Sequence, residues 1–88
     1  MIELPRAPWN GRVPYVPGSW DLPRYQPPWC RDLATIDLAI IVCPRGHATR
    51  MSASVHRVGP SGVVSPSYVC TVTGCRWHVF LRLVGWPG

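Results

Sequence analysis

The chain has 88 residues, nine arginines against four acids, no lysine, and a formal net charge of +5, with eleven prolines and four cysteines. That length allows one domain at most, and a core this small usually needs a metal, disulfides or a partner to hold it. The longest aliphatic run, Leu38-Ala39-Ile40-Ile41-Val42, is far too short to span a bilayer, so no membrane role is expected.

Residues 1–29 hold seven of the eleven prolines and no sustained apolar period. Proline prevents helix and restricts the residue before it to extended geometry, so this segment is predicted to be an extended, polyproline-like arm. Large aromatics alternate with the prolines: Trp9, Tyr15, Trp20, Tyr25 and Trp29. Bulky rings on a stiff backbone suit docking into grooves at modest entropic cost, and these five are the expected partner-binding residues. The competing reading folds the arm back over the small core as a lid. The first residues offer neither a basic start nor an apolar h-region, so synthesis in the cytoplasm without a signal peptide is expected.

Leu33–Val42 alternates with period two, which predicts a strand with Ala34, Ile36, Leu38, Ile40 and Val42 on one face. Its end delivers Cys43. Ala48–Val58 and Val63–Tyr68 flank Gly59-Pro60-Ser61-Gly62, the signature of a hairpin turn. Pro66 has no N–H for a ladder and marks an edge or an interruption there. After Cys75, Trp77, Val79, Leu81 and Leu83 alternate with His78, Phe80, Arg82 and Val84, predicting a last strand.

Two close pairs of potential metal ligands bracket the hairpin: Cys43-Pro44-Arg45-Gly46-His47 and Cys70-Thr71-Val72-Thr73-Gly74-Cys75. Two tight turns carrying two ligands each are how a short chain commonly encloses Zn²⁺ in a tetrahedron. Gly46 and Gly74 precede the second ligand of each pair, where such a turn calls for positive φ. Cys43, His47, Cys70 and Cys75 are therefore the expected zinc site. A disulfide or unlinked buried thiols are the other readings, and a reducing compartment favours the metal. His78 stands three residues after Cys75 and could replace Cys70. His56 reads as a cross-strand side chain, and Cys30 as a packed thiol. The fold expected is a small all-β zinc ribbon of three to four short antiparallel strands over residues 33–88, carrying the extended arm.

The first 37 residues carry four arginines and four acids, so the whole charge excess lies in 38–88, on Arg45, Arg50, Arg57, Arg76 and Arg82. These five are candidate phosphate contacts, or else solvated surface charges. Neither a phosphate-binding glycine loop nor a nucleophile motif is present, and no carboxylate accompanies the metal ligands, so an enzyme is not expected.

Cys43-Pro44-Arg45-Gly46-His47-Ala48, followed by Cys70, Cys75 and Phe80, resembles the zinc-finger motif of the Ogr/Delta family of phage late-transcription activators. That motif begins Cys-Pro-x-Cys-Gly-His-Ala and, after about 22 residues, continues with Cys-x4-Cys and an aromatic. The likeness spans about residues 43–83. Cys43, Cys70 and Cys75 map onto family ligands, while the family's second cysteine is missing and His47 would have to substitute. The resemblance implies a phage-type zinc ribbon. Two non-enzymatic roles are expected from all this. One is a virion component docking through its arm onto a larger assembly, such as capsid or tail proteins. The other is a regulator that binds DNA or RNA polymerase.

Overall fold

The computed structural model describes residues 1–8, 15–23 and 37–87. Among them nine short strands follow in chain order: β1 (Ile2–Leu4), β2 (Ser19–Asp21), β3 (Asp37–Val42), β4 (Ala48–Ser52), β5 (Arg57–Val58), β6 (Val64–Ser65), β7 (Tyr68–Val69), β8 (His78–Val79) and β9 (Leu81–Leu83). These described residues contain no helix, hence none long and apolar enough to cross a membrane. The all-β expectation holds in this form, with more and shorter strands than the sequence suggested.

β3 is the centre of an antiparallel sheet ordered β2-β3-β4. The period-two reading of this region is corrected here. Ala39 and Ile41, on the face expected to be polar, are fully buried, and Ile40 and Val42 are buried as well. A central strand covered on both sides reads as a continuous aliphatic run rather than as alternation. Its pairing with β4 slips between Asp37 and Ala39, so Leu38 is an extra residue, a bulge before the last pair, Asp37 with Ser52. β4 does alternate, burying Thr49 and Met51 and exposing Ala48 and Arg50. Residues 33–36 of the expected strand lie outside the described residues.

The expected hairpin forms only at its tip. β5 and β6 pair around the Gly59-Pro60-Ser61-Gly62 turn, closed by Gly59 N–H to Val63 O at 2.9 Å and Gly62 N–H to Gly59 O at 2.9 Å. Upstream, the chain turns at Ser52, whose carbonyl accepts from Val55 and His56 and whose Oγ accepts from the Ser54 N–H. Serine hydroxyls that bond their own backbone favour turns over ladders. This breaks Ala48–Val58 into β4 and β5, which belong to different sheets. Downstream, Pro66 follows directly on β6, and β7 pairs instead with β8.

Gly62 is the turn residue under most constraint. Its φ is +89°, and a Cβ there would run into the Leu83 carbonyl oxygen and lie 3.1 Å from Cβ of Trp86. Gly85 also has positive φ (+82°) but open space around it. Left-handed backbone costs an ordinary residue about 1–2 kcal/mol. Gly85→Ala should cost about that much, whereas Gly62→Ala adds a backbone collision and should cost at least about 3 kcal/mol. Urea denaturation of the two variants measures the difference, and equal losses would refute the close approach at Gly62.

The segment read as an arm enters the fold. β1 pairs in parallel with β9, Ile2 opposite Leu81 and Leu4 opposite Leu83. β2 pairs with β3, Trp20 opposite Ile41. Leu4 and Trp20 are core residues, packed with Ala39, Ile41, Met51, Val64, Tyr68, Leu81 and Leu83. The assignment of Trp20 to an outside partner is therefore corrected: its side chain is fully buried within its own chain. A boundary after residue 29 would cut through this core. Tyr15 is half-buried. Trp9, Tyr25, Trp29 and Cys30 lie outside the described residues.

Candidate metal centre

Two knuckles and one strand pair build the site. In the first knuckle β3 delivers Cys43, and the chain turns through Gly46 at φ +88°. Gly46 N–H bonds the Cys43 carbonyl at 2.8 Å, and Cys43 N–H bonds the His47 carbonyl at 3.1 Å, so both ligands sit on one closed turn. In the second, β7 delivers Cys70 and the chain turns through Gly74 at φ +84°. There Cys75 N–H bonds the Val72 carbonyl at 3.0 Å, and Cys70 N–H takes the Trp77 carbonyl at 2.9 Å. The glycine placement in each pair, legible as a turn requirement, is met at both positions.

The four donor atoms converge. Sγ of Cys43, Cys70 and Cys75 and one ring nitrogen of His47 all lie within 4.8 Å of one another. Cys70 Sγ is 3.8 Å from His47 Nδ1, and Cys75 Sγ is 3.9 Å from Cys43 Sγ. All three cysteines are free thiols, which sets aside the disulfide reading for them. Cys43 and Cys70 are buried and His47 is half-buried, with Cys75 between buried and intermediate. This Cys₃His group can hold a metal ion.

The protein sets the thiols apart from one another. Burial pushes the Cys70 thiol above its ordinary value. Cys75 is lowered from 9.0 to about 7, chiefly because the Trp77 backbone N–H bonds its sulfur. A backbone donor stabilises thiolate, the form that binds metal.

The other candidates fall elsewhere. His78 is exposed and bonds Ser67 Oγ through Nε2 at 2.5 Å, and it is not a member of the cluster. His56 is half-buried beside the Tyr68 ring, with centroids 5.3 Å apart, and its Nε2 is 3.1 Å from the Ser67 carbonyl. Tyr68 itself bonds Thr49 under the sheet, and burial raises its phenol.

The five arginines divide into two groups. Arg82 reaches Glu3 at 3.4 Å and the Ser61 carbonyl at 3.1 Å, and Arg50 lies 3.8 Å from Asp37. Folding thus brings acids from the first 37 residues back to the basic half, which the linear charge count did not reveal. Arg45, Arg57 and Arg76 are exposed and have no acidic partner among the described residues.

No protein-family model, curated protein or solved structure matches this chain.

Proposed function

We propose that this is a small non-enzymatic zinc protein of the ribbon type, in which a structural Zn²⁺ on Cys43, His47, Cys70 and Cys75 holds together a fold that acts by binding. The observation that carries the reading is the convergence of three thiols and one imidazole from two hydrogen-bonded knuckles. Zn–S bonds of about 2.3 Å in a tetrahedron imply S···S edges of about 3.8 Å. The 3.9 Å between Cys43 and Cys75 matches such an edge. Thiolate-rich sites with one imidazole suit zinc over the harder Mg²⁺ and Ca²⁺, which take oxygen ligands. Four protein donors leave no open position for water or substrate, which supports a structural role over a catalytic one.

The test is metal analysis of protein purified without added metal, with one zinc per chain expected. Oxygen-ligand metals only, or no metal under reducing conditions, would overturn the proposal.

Of the two binding roles, docking onto capsid or tail proteins through residues 1–29 loses Trp20 as an anchor and rests on Trp9, Tyr15, Tyr25 and Trp29. The regulator role, with nucleic acid or RNA polymerase as partner, has a specific observation in its favour. Three exposed arginines lack acidic partners among the described residues, and two of them, Arg45 and Arg76, adjoin metal ligands. Its implied phage setting comes from the Ogr/Delta-like spacing of Cys43, Cys70 and Cys75.

A further inference from the structure

Arg45 and Arg76 lie far apart in sequence, one inside the first metal knuckle and one directly after the second. Folding brings them together around a cleft of about 270 Å³ lined by Pro44, Arg45, Arg76 and Trp77. Trp77 is half-buried and packs its inner side against the hydrophobic core. Its backbone is tied to the second knuckle. The Trp77 carbonyl accepts from Cys70 N–H at 2.9 Å. The backbone of Trp77 is therefore anchored beside the second cysteine pair.

We propose that this cleft binds single-stranded nucleic acid, one base against Trp77 and its flanking phosphates on Arg45 and Arg76. The inference rests on the zinc reading, because the metal is what fixes the two knuckles to each other. One feature of the cleft and two exclusions select this ligand. It joins an aromatic side chain to two guanidinium groups, the pairing that tracks a nucleotide's flat base and its charged backbone together. A duplex keeps the faces of its bases stacked inside, where Trp77 cannot reach them. An acidic peptide would satisfy the arginines and leave Trp77 without a counterpart.

Electrostatics permit it. Three thiolates around one Zn²⁺ leave a net charge of about −1, and the two guanidiniums outweigh it. Neither arginine has an acidic partner among the described residues, so binding an anion breaks no ion pair recorded there.

The experiment follows the fluorescence anisotropy of a labelled mixed-sequence strand of about ten nucleotides, within the site sizes of known single-strand binders, with the zinc-loaded full chain. Parallel titrations use the same sequence as duplex, a free mononucleotide and polyglutamate. The strand should bind tightest, with a salt slope near 1.4 for about two phosphate contacts. R45A/R76A changes two exposed side chains and should keep its zinc while weakening binding at least about tenfold. Trp77→Leu should weaken it at least about fivefold with the salt slope unchanged. Unchanged affinity in R45A/R76A would overturn the proposal, whatever Trp77→Leu does to folding. So would binding of duplex, mononucleotide or polyglutamate as tight as that of the strand. A chain that binds the strand with this arginine dependence but carries no zinc would leave the cleft standing and refute the metal reading instead.

Discussion

Replacing Cys43 with serine should empty the metal site and unfold the protein in one step. A structural zinc in a small domain supplies roughly 10–16 kcal/mol of binding free energy coupled to folding. The whole net stability of an ordinary domain is only about 5–15 kcal/mol, so without the metal little or nothing remains. The packing explains why no other contact substitutes. Cys43 directly follows β3 and Cys70 directly follows β7, and both are buried. An empty site would leave three thiols and an imidazole crowded within 4.8 Å without the ion that bonds them together. Zinc content by mass spectrometry and the near-ultraviolet dichroism of the tryptophans should vanish together in Cys43→Ser, and likewise in Cys75→Ser. Chelation of the unaltered protein should reproduce the effect. His78→Ala and Cys30→Ser are the controls and should each retain one zinc. A Cys43→Ser protein that still melts cooperatively near the unaltered temperature would show that the cluster is not what holds the fold.

Acid should act through the same site. The fold depresses Cys75 from 9.0 to about 7. A depressed thiol contributes stability that is fully present above its unfolded value and is lost as pH falls through its folded value, between 9 and 7 for Cys75, while Cys70, raised by burial, acts in the opposite direction. Metal adds to the Cys75 effect in the same direction, since protons compete with the ion for each thiolate. Zinc release measured with a chromophoric chelator should accelerate as pH is lowered and never as it is raised.

The Cys₃His cluster was the most legible part of the sequence, because its information is local. Cys43 with His47, and Cys70 with Cys75, are each joined by a turn of a few residues, and Gly46 and Gly74 announce the left-handed step each turn requires. What brings the two pairs together is less local: β3 pairs with β4 and β7 with β8, and the hairpin between them closes only at its tip, β5 with β6. Much of the remaining fold depends on distant partners. β1 is three residues long and finds its place beside β9, almost the full length of the chain away. A period-two pattern needs about four to eight residues to be recognised, and Ile2-Glu3-Leu4 between Met1 and Pro5 offers too few. Similarly, nothing near Trp20 distinguishes a core tryptophan from an anchor on an extended arm. Gly18-Ser19-Trp20-Asp21-Leu22-Pro23 reads as irregular, and only the edge of β3 converts its middle into a strand. The ion pairs Arg6–Asp21 and Arg82–Glu3 are likewise long-range facts that a linear charge count cannot supply.

Trp20→Ala should be the most damaging substitution outside the metal site. The side chain is fully buried, its Nε1–H donates to the Val84 carbonyl at 2.9 Å, and its ring meets Trp86 with centroids 5.5 Å apart. The Arg6 guanidinium caps the ring from 5.6 Å, while Arg6 also reaches Asp21 at 3.4 Å. The backbone binds both neighbouring segments, since Trp20 N–H bonds the Pro5 carbonyl and Ala7 N–H bonds the Trp20 carbonyl. One residue thus ties the first segment, the central sheet and the C-terminal turn together. Truncating a buried tryptophan to alanine costs about 3–5 kcal/mol, and in a chain of this size each kcal/mol lowers Tm by about 4–8 °C. A loss of at least about 12 °C is expected, with Trp20→Phe losing less because it keeps an aromatic ring and gives up the hydrogen bond. The same argument predicts that removing residues 1–29 prevents folding, since it strips Leu4 and Trp20 from Ile41, Leu81 and Leu83 and leaves β9 without its β1 partner. Calorimetry and zinc content of Trp20→Ala and of a 33–88 fragment decide the point. A fragment that keeps its zinc and melts as the full chain does would restore the first segment as a separate arm, and a Trp20→Ala protein within a few degrees of the unaltered one would refute the core role assigned to it.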